Sequence, residues 1–453
     1  MAKLMAQNTT ARAAYDLDQL KQLVGDILQQ AKDLGATSAE AGVNSEAGFS
    51  VTVRMGEVET IEYNRDKGLG VTVYFGQRKG SASTTDFRPH AVSETVRAAV
   101  DIARYTAEDE YAGLADPALM ARDIPDLQLY QPWDITPDAA VEMAKECEAA
   151  AFAVDKRLHN SEGAYIATHS GARVYGNSNG FVGGYPSSRH SLGCTMIGRE
   201  NDEMQRDHWY SLSRNPAGLE AAVSVGQKAA QRTVERLSAR KIQTGKLPVI
   251  FSAEAARGLL GHFIRAINGS ALYRKSSFLL DSLGQAIFPD FIEIQEQPHL
   301  LQGLGSSPFD SEGVSTRERR IIEAGVLQGY VLDSYAARHL GMQTTGNAGG
   351  VHNLSINHQA ADLDALLRQM DKGILVTEVM GQGVNIVTGD YSRGAGGFWV
   401  EGGEIQYPIE EFTLAGNLRQ MYRGLQAVAG DVDRRGNLLT GSWLIDEMTI
   451  AGD

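Results

Sequence analysis

The sequence predicts an α+β protein in two parts, a helix plus antiparallel-sheet N-terminal half and a larger mixed α+β C-terminal half. Three observations support this fold class. Runs of alternating apolar and polar residues break at glycines, as in β-hairpins. Other segments carry apolar residues at helical spacing. The strands do not alternate regularly with helices, as they would in a doubly wound sheet.

The N-terminal half is expected to open with an amphipathic helix over residues 17–34, capped by Asp16. Two hairpins are expected next, over Phe49–Asn64 and Gly70–Thr84, because each alternates in polarity and contains a central glycine. A second helix, over about 91–105, closes this unit.

An acidic stretch with three prolines, residues 107–133, is predicted to be a connection that splits this half into two subdomains. It is followed by a helix over about 137–154, a glycine-rich β region over Tyr175–Gly198 and a helix over about 219–239. The Gly/Pro segment Lys241–Pro248 is the predicted boundary between the halves. The predicted domains are therefore 1–240 and 241–453.

The C-terminal half is expected to begin with a short buried strand, Val249–Phe251, that leads into an amphipathic helix. Further strands are predicted at Ile374–Val379 and in the hairpin Phe398–Ile409, whose Gly402-Gly403 pair suits a tight turn.

The composition excludes several classes of function. A formal charge of −14 disfavours nucleic acid as a direct partner. The short basic clusters Arg317/Arg319/Arg320 and Arg434/Arg435 are interpreted as solvated surface. With two cysteines there is no disulfide framework, and the first twenty residues lack the apolar segment of a secretory signal. No apolar run could span a bilayer, so we predict a cytoplasmic protein without a membrane partner.

The first helix of the C-terminal half contains the stretch "GLLGHFIRAI". Its apolar stripe includes Leu260, Phe263 and Ile267, whereas His262 lies on another face with Glu254. A catalytic zinc needs several converging imidazole or carboxylate ligands and a nearby Glu to accept a proton. One histidine cannot supply this set, so the residue types favour an exposed or interface histidine with an ordinary hydrogen bond.

Several long motifs resemble the TldD/PmbA family of peptide-processing metalloproteases, and specifically its PmbA, or TldE, branch. They are "GEVETIEYNRDKGLGVTVY", "YRKSSFLLDSLG", "PFDSEGVSTRERRIIEAGVLQGYVLDSYAARHLGMQTTGNAGG" and "VTEVMGQGVNIVTGDYSRGAGGFWVEGGEIQYPIEEFTLAGNL". The resemblance covers essentially the whole chain.

In the TldD branch, the equivalent helix carries His-Glu-x-x-x-His, and a cysteine near the C-terminus completes the zinc site. Aligned without gaps, His262 is the vestigial first-ligand position, with Phe263 in place of the Glu and Ile267 in place of the second His. The final segment, "GSWLIDEMTIAGD", also lacks cysteine. The resemblance thus implies a chain with no catalytic, cofactor-binding or metal-ligating residues of its own, and zinc in a partner subunit.

Other candidate residues are weighed against structural roles. Glu378, Asp390 and His352 could form a cluster, but structural or solvated roles are favoured. The loop "TGNAGG" lacks the features of a phosphate-binding loop and predicts a tight turn. Cys147 has no catalytic partner in its helical segment.

The stretch "GDYSRGAGGFWV" is a candidate for peptide contact, because glycines beside an aromatic strand permit a peptide to add to a sheet edge. The candidate contact residues are Gly394, Gly396, Gly397 and Phe398. The alternative is that these glycines only form a bend.

By resemblance, the chain is predicted to be the non-catalytic subunit of a cytoplasmic complex that degrades or matures unfolded peptides. Its partners would be a zinc-bearing TldD-type subunit and the peptides, with a homodimer possible when the chain is alone. One alternative is an autonomous metallopeptidase that uses His262 and distant carboxylates. A second is a regulator of DNA gyrase, a role that has also been described for the family.

Overall fold

The computed structural model describes residues 16–452. The helices in this range are α1 (Leu17–Asp33), α2 (Pro89–Tyr105), α3 (Pro137–Phe152), α4 (Ala222–Glu235), α5 (Ala253–Ala266), α6 (Gly269–Tyr273), α7 (Ser334–His339), α8 (Leu363–Met370) and α9 (Leu418–Arg423). The strands of the N-terminal half are β1 (Ser38–Arg54), β2 (Glu57–Phe75), β3 (Arg78–Thr84), β4 (Leu158–Asn177), β5 (Val182–Glu200) and β6 (Glu203–Ser213).

The strands of the C-terminal half are β7 (Gly245–Phe251), β8 (Ile294–Glu296), β9 (Arg319–Glu323), β10 (Val326–Leu327), β11 (Leu354–Ile356), β12 (Gly373–Met380), β13 (Asp390–Glu401), β14 (Glu404–Asn417), β15 (Leu425–Val428), β16 (Leu438–Leu439) and β17 (Trp443–Ala451). Helices and mostly antiparallel sheets occur together without regular alternation, so the predicted α+β class is confirmed.

One antiparallel sheet, in the order β3-β2-β1-β4-β5-β6, forms the framework of the N-terminal half. Two apolar clusters cover it, one with α1 and α2 and the other with α3 and α4. β1 pairs with β4 from Glu40↔Asn177 to Val53↔Ala164, so the sheet continues across the 107–133 connection. The division of this half into subdomains therefore remains a prediction.

Two sheets organise the C-terminal half. The smaller has the order β10-β9-β8-β11-β16, and the larger has the order β14-β13-β12-β7-β17-β15. β14 also pairs with β17, which closes β14, β13, β12, β7 and β17 into a ring. Helix α5 follows β7 directly and packs into the largest apolar cluster of the described residues.

Local sequence signals explain several elements. The Asp16 carboxylate caps α1 by accepting hydrogen bonds from the backbone N–H groups of Asp18 and Gln19, as expected. The predicted hairpins are confirmed, with turns between β1 and β2 and between β2 and β3. Gly402 and Gly403 have positive φ angles of 65° and 74°, as a tight turn between β13 and β14 requires.

Some extents differ from those predicted. β1 begins at Ser38 and β4 at Leu158, earlier than the alternation of polarity indicated, and β6 was not predicted. The segment Lys241–Pro248 contains the first residues of β7, so the chain enters the C-terminal sheet within the predicted linker. The domain boundary itself remains a prediction.

No helix in the described range is both long and apolar enough to cross a membrane. The prediction that a secretory signal is absent concerns the first twenty residues. Of these, residues 1–15 lie outside the described residues.

Candidate functional site

Helix α5 lies between the apolar core of the C-terminal half and the N-terminal half. Ser252 caps the helix, and its hydroxyl accepts a hydrogen bond from the backbone N–H of Ala255 at 3.4 Å. The predicted apolar stripe is confirmed, because Leu259, Leu260 and Phe263 are buried in the main apolar cluster. The Tyr422 hydroxyl donates a hydrogen bond to the Leu259 carbonyl at 2.9 Å and thereby joins α5 to α9.

Phe263 and Ile267 are both fully buried, at 0% exposure. The Phe263 ring packs edge-on against Phe288 at 5.2 Å and against Tyr422 at 6.0 Å between ring centroids. Positions one and five residues beyond His262 are rotated by about 100° and 140° around a helix. In this chain both positions face the apolar core. The alignment of His262, Phe263 and Ile267 with the zinc-site positions of the TldD branch remains a prediction.

His262 is half-buried, and its ring stands edge-on to Tyr391 with 6.2 Å between the centroids. Burial, together with the nearby Arg265 and Arg393 cations, lowers the pKa of His262 to about 4. Among the described residues no protein group forms a hydrogen bond with the ring, so the role expected for it, an exposed or interface histidine with an ordinary hydrogen bond, remains a prediction. The side chain is a neutral imidazole at physiological pH.

The groups nearest His262 are poor metal ligands. Arg393 donates hydrogen bonds to the carbonyls of Met380 and Val379 at 2.9 and 3.3 Å. Burial raises the pKa of Tyr391 to about 12, which keeps its phenol protonated. No three His, Cys, Asp or Glu side chains in the described range come together in a way that could hold a metal ion. The residues around His262 therefore do not fit a catalytic zinc.

A polar cavity of about 400 Å³ lies between the two halves, at the beginning of α5. Strand β6 and helix α4 of the N-terminal half form one wall, and the start of α5 and the end of β12 form the other. Its charged lining residues are Glu162, Arg206, Asp207, Arg232, Arg236, Glu254, Arg257 and Glu378.

A chain of ion pairs links the two walls of this cavity. Asp207 pairs with Arg232 at 3.3 Å and with Arg236 at 3.5 Å. Arg236 also forms an ion pair with Glu378 of β12, and Arg232 also forms an ion pair with Glu254 of α5 at 2.8 Å. Because Asp207 and both arginines belong to the N-terminal half, these bridges fix its position relative to α5 and β12.

Arg435 extends the network on the other side of Glu254. Its guanidinium pairs with Glu254 at 2.7 Å and with Asp433 at 2.9 Å, and it lies over the Trp209 ring at 3.8 Å. Burial would raise the pKa of Asp433, but hydrogen bonds from Arg435 and Arg257 outweigh it and hold the pKa below its ordinary value. With a side chain only 10% exposed, Arg435 joins the halves.

The two basic clusters predicted to be solvated surface, Arg317/Arg319/Arg320 and Arg434/Arg435, are only partly exposed to solvent. The Arg435 side chain is 10% exposed within the network, and the Arg319 side chain is 13% exposed and pairs with the buried Glu296 at 2.7 Å. Charged residues look alike in sequence whether water or another side chain neutralises them. Asp433 is close to Arg435 in the chain, but Glu254 and Trp209 are not, and Glu296 is 23 positions from Arg319, so the sequence does not show these contacts.

The structure does not bring Glu378, Asp390 and His352 together. Glu378 pairs with Arg236, Asp390 accepts a hydrogen bond from Thr388 at 2.6 Å, and His352 is buried between the carbonyls of Gly305 and Gly346. The favoured structural roles for these residues agree with these contacts.

Two further structural interpretations also agree with the contacts. Residues 345–350 form a turn in which Gly346, Gly349 and Gly350 have positive φ angles. Cys147 and Cys194 are buried free thiols. A hydrogen bond with Cys147, together with burial, raises the pKa of Cys194, so this thiol is a poor nucleophile.

The peptide-contact stretch does not lie at a sheet edge. β13 pairs with β12 on one side and with β14 on the other, so a peptide cannot add to it as a further strand. A Cβ on Gly397 would lie 2.0 Å from the Leu375 carbonyl oxygen, so this glycine permits close strand pairing. Gly396 lies at a bulge, and Phe398 is buried against the core beside α8. The edge-addition mechanism is therefore wrong, while contact of Gly394 or its neighbours with a peptide remains a prediction.

Comparisons with known proteins agree with this architecture. Three family models match: PmbA/TldA metallopeptidase domain 1 over residues 39–103, the central domain over 130–237 and the C-terminal domain over 244–452. The chain belongs to the PmbA/TldD metallopeptidase family.

Two curated relatives in this family are similar over nearly their full length. The metalloprotease PmbA of Escherichia coli O157:H7 is 52% identical over 91% of this chain and 92% of its own length. A PmbA homologue from Haemophilus influenzae is 49% identical over 99% of both chains.

A solved structure of similar fold comes from Bacteroides thetaiotaomicron and is described as a candidate modulator of DNA gyrase. It is 31% identical, has a TM-score of 0.91, and covers 96% of this chain and 99% of its own. The likeness therefore extends over both halves.

Proposed function

We propose that this chain is a PmbA/TldE-type, non-catalytic subunit of a cytoplasmic metalloprotease complex that degrades or matures unfolded peptides. A paralogous TldD-type subunit would hold the catalytic zinc. In this assignment the chain contributes part of the wall around the substrate and does not itself activate water.

The observation that carries the proposal is the set of groups around His262. A water molecule attacks an amide only if a metal or a general base prepares it. Near His262 there are a protonated phenol and two guanidinium groups, which neither bind a metal cation nor accept a proton. His262 is itself too weak a base near pH 7, because its pKa is about 4.

The cavity between the halves supports a role in holding a peptide. Its walls carry both signs of charge, and its arginines and carboxylates already neutralise one another. A wall of this kind offers hydrogen bonds to a peptide backbone without strong selection by charge. This suits a subunit that handles peptides of varied sequence.

The test is reconstitution with the paralogous subunit from the same genome, the one that retains His-Glu-x-x-x-His. We expect the two chains to co-purify, zinc to follow the paralogue, and His262→Ala in this chain to leave the hydrolysis of an unfolded peptide within about twofold of wild type. The corresponding histidine replacements in the paralogue should abolish hydrolysis. Loss of activity on His262→Ala, with the complex intact, would instead favour the autonomous metallopeptidase.

Regulation of DNA gyrase is the second candidate, because the solved structure that is 31% identical carries that description. The formal charge of −14 opposes direct DNA contact. A titration of duplex DNA at rising salt distinguishes the two. We expect no binding at physiological salt, whereas tight binding that weakens steeply with salt would favour the gyrase role.

A further inference from the structure

His262 lies in a group of side chains that all carry hydrogen-bond donors. Arg265 follows it by three positions on α5, so the two side chains are neighbours on the helix surface. Tyr391 and Arg393 are two positions apart on β13 and therefore lie on the same face of the strand. The edge-on contact between the His262 and Tyr391 rings, with 6.2 Å between the centroids, brings the two pairs together.

Each member of this group has a donor that the described residues leave unused. Arg265 forms no ion pair or hydrogen bond with them, and the Tyr391 hydroxyl forms no hydrogen bond with them either. Arg393 donates from Nε and Nη2 to two carbonyls at the end of β12, which fixes its guanidinium and leaves Nη1 without a partner among these residues. His262 is neutral near pH 7 and carries one ring N–H. Four side chains therefore present donors at one place.

The group is positively charged and has no counter-charge nearby. Burial is the main cause that lowers the pKa of His262, and the Arg265 and Arg393 cations lower it further, with no carboxylate of the described residues acting in the other direction. Burial raises the pKa of Tyr391 and Arg393 lowers it, again without a carboxylate. In the cavity between the halves, by contrast, arginines and carboxylates pair with one another. Partly buried donors without partners carry a free-energy cost that an anion would remove.

We propose that the side chains around His262 bind the C-terminal carboxylate of a peptide. The two oxygens of a carboxylate accept about four hydrogen bonds, and a guanidinium fork matches the carboxylate plane. Arg265 and Arg393 supply the positive charge, while the His262 ring and the Tyr391 hydroxyl supply neutral hydrogen bonds. Arg265 is exposed and His262 is half-buried, so the site opens to solvent.

The position of the site favours a peptide over a free anion. Arg393 donates a hydrogen bond to the carbonyl of Val379, and Val379 also lines the polar cavity between the halves. A peptide held by its carboxylate at His262 therefore has a path along the end of β12 to that cavity. The choice of a peptide as the ligand rests on the proposed function, whereas the anion-binding groups do not depend on it.

The experiment is an NMR titration of the isolated full chain with N-acetyl-trialanine as its free acid. Broadening of the peptide resonances gives the affinity. Shifts of the His262 ring resonances, which are assigned by their loss in His262→Ala, locate the site. We expect saturable binding with a dissociation constant below about 10 mM. The C-terminal amide of the same peptide should bind at least about tenfold more weakly, because it lacks the charge that the guanidinium groups contact.

Arg265→Gln is the decisive variant, because Arg265 is exposed and its loss leaves no described group unpaired. It should weaken binding of the free acid at least about tenfold and leave binding of the amide unchanged. Arg265→Lys keeps the charge without the planar fork and should fall between wild type and Arg265→Gln. The His262 ring adds one neutral hydrogen bond, so His262→Ala should weaken binding only about twofold.

Arg97→Gln, at an exposed position of α2, is the matched control and should bind the peptide as wild type does. Thermal melting of each variant separates loss of the site from loss of folding. Equal affinity for the free acid and the amide would overturn the proposal, and so would an Arg265→Gln variant that binds the free acid as wild type does. Because the isolated chain is measured without hydrolysis, these outcomes are independent of the reconstitution that tests the proposed function.

Acetate and inorganic phosphate are the probes that distinguish a peptide carboxylate from a free anion. Both should displace the peptide only at concentrations at least about tenfold above its dissociation constant, because neither reaches the end of β12. Phosphate that displaces the peptide at or below that constant would overturn the assignment of the ligand.

Discussion

Replacing Phe263 with alanine should destabilise the protein strongly, because this position is an anchor of the core. The ring is 0% exposed and packs edge-on against Phe288 and Tyr422. Truncating a fully buried Phe costs about 3–5 kcal/mol. For a unit of roughly 200 residues, each kcal/mol lowers the melting temperature by about 2–4 °C. We therefore expect a fall of about 6–20 °C by differential scanning calorimetry.

The neighbouring His262→Ala is the matched control. Its ring is half-buried and has one aromatic contact, so its removal should cost at most about 1 kcal/mol. A Phe263→Ala variant that melts within about 2 °C of wild type would refute the assignment of this face to the core.

The same reasoning predicts that rebuilding the zinc motif fails. In Phe263→Glu/Ile267→His, both new groups would replace fully buried apolar side chains, and the final segment still lacks the cysteine ligand, so the variant should be destabilised without gaining bound zinc. Burial raises the pKa of the new carboxyl above its unfolded value. The penalty should therefore grow as the pH rises above about 4. One equivalent of tightly bound zinc with unchanged stability would contradict the geometry.

Three further predictions concern single groups. The ring proton resonances of His262 should titrate by NMR near pH 4, because burial and then Arg265 and Arg393 lower its pKa to about 4. The stability that this neutral ring contributes is present above pH 6.5 and is lost as the pH falls toward 4. A titration midpoint near 6.5 would show a solvated ring. Burial raises the pKa of Glu312 to about 7. The wild type should therefore lose stability relative to Glu312→Gln as the pH rises from about 4.5 to 7. A melting-temperature difference between the two that stays constant across this pH range would exclude the raised pKa. Glu296→Ala should cost about 3–5 kcal/mol in urea unfolding because it removes the only carboxylate paired with Arg319, whose side chain is 13% exposed, among the described residues. Glu323→Ala, at an exposed ion pair, should cost under about 1 kcal/mol, and similar losses for the two variants would mean that Glu296 is not a buried partner.

Elements governed by local interactions could be predicted from the sequence. The cap at Asp16 and the turn at Gly402-Gly403 depend on residues only a few positions apart. The burial of one face of α5 follows from helical spacing alone. Each of these signals lies within a short stretch of sequence, and each of the three predictions is confirmed.

Long-range pairing could not be predicted in the same way. The polarity pattern of β13 identifies a strand but contains no information about its neighbours, so the sequence did not reveal that β12 and β14 cover both of its edges. Arg435 contacts Trp209, which is more than 200 positions away in the chain, and the sequence around either residue does not indicate this contact. The cavity between the halves is built from such contacts, which explains why most of its lining was missed.

Joint measurement of metal content and peptide hydrolysis, for this chain alone and in complex with its zinc-bearing paralogue, tests the central claim most directly. We expect no stoichiometric zinc and no hydrolysis for the isolated protein, and one zinc per pair with full activity for the complex, unchanged by His262→Ala. Stoichiometric zinc and peptidase activity in the isolated chain, both lost in His262→Ala, would contradict it.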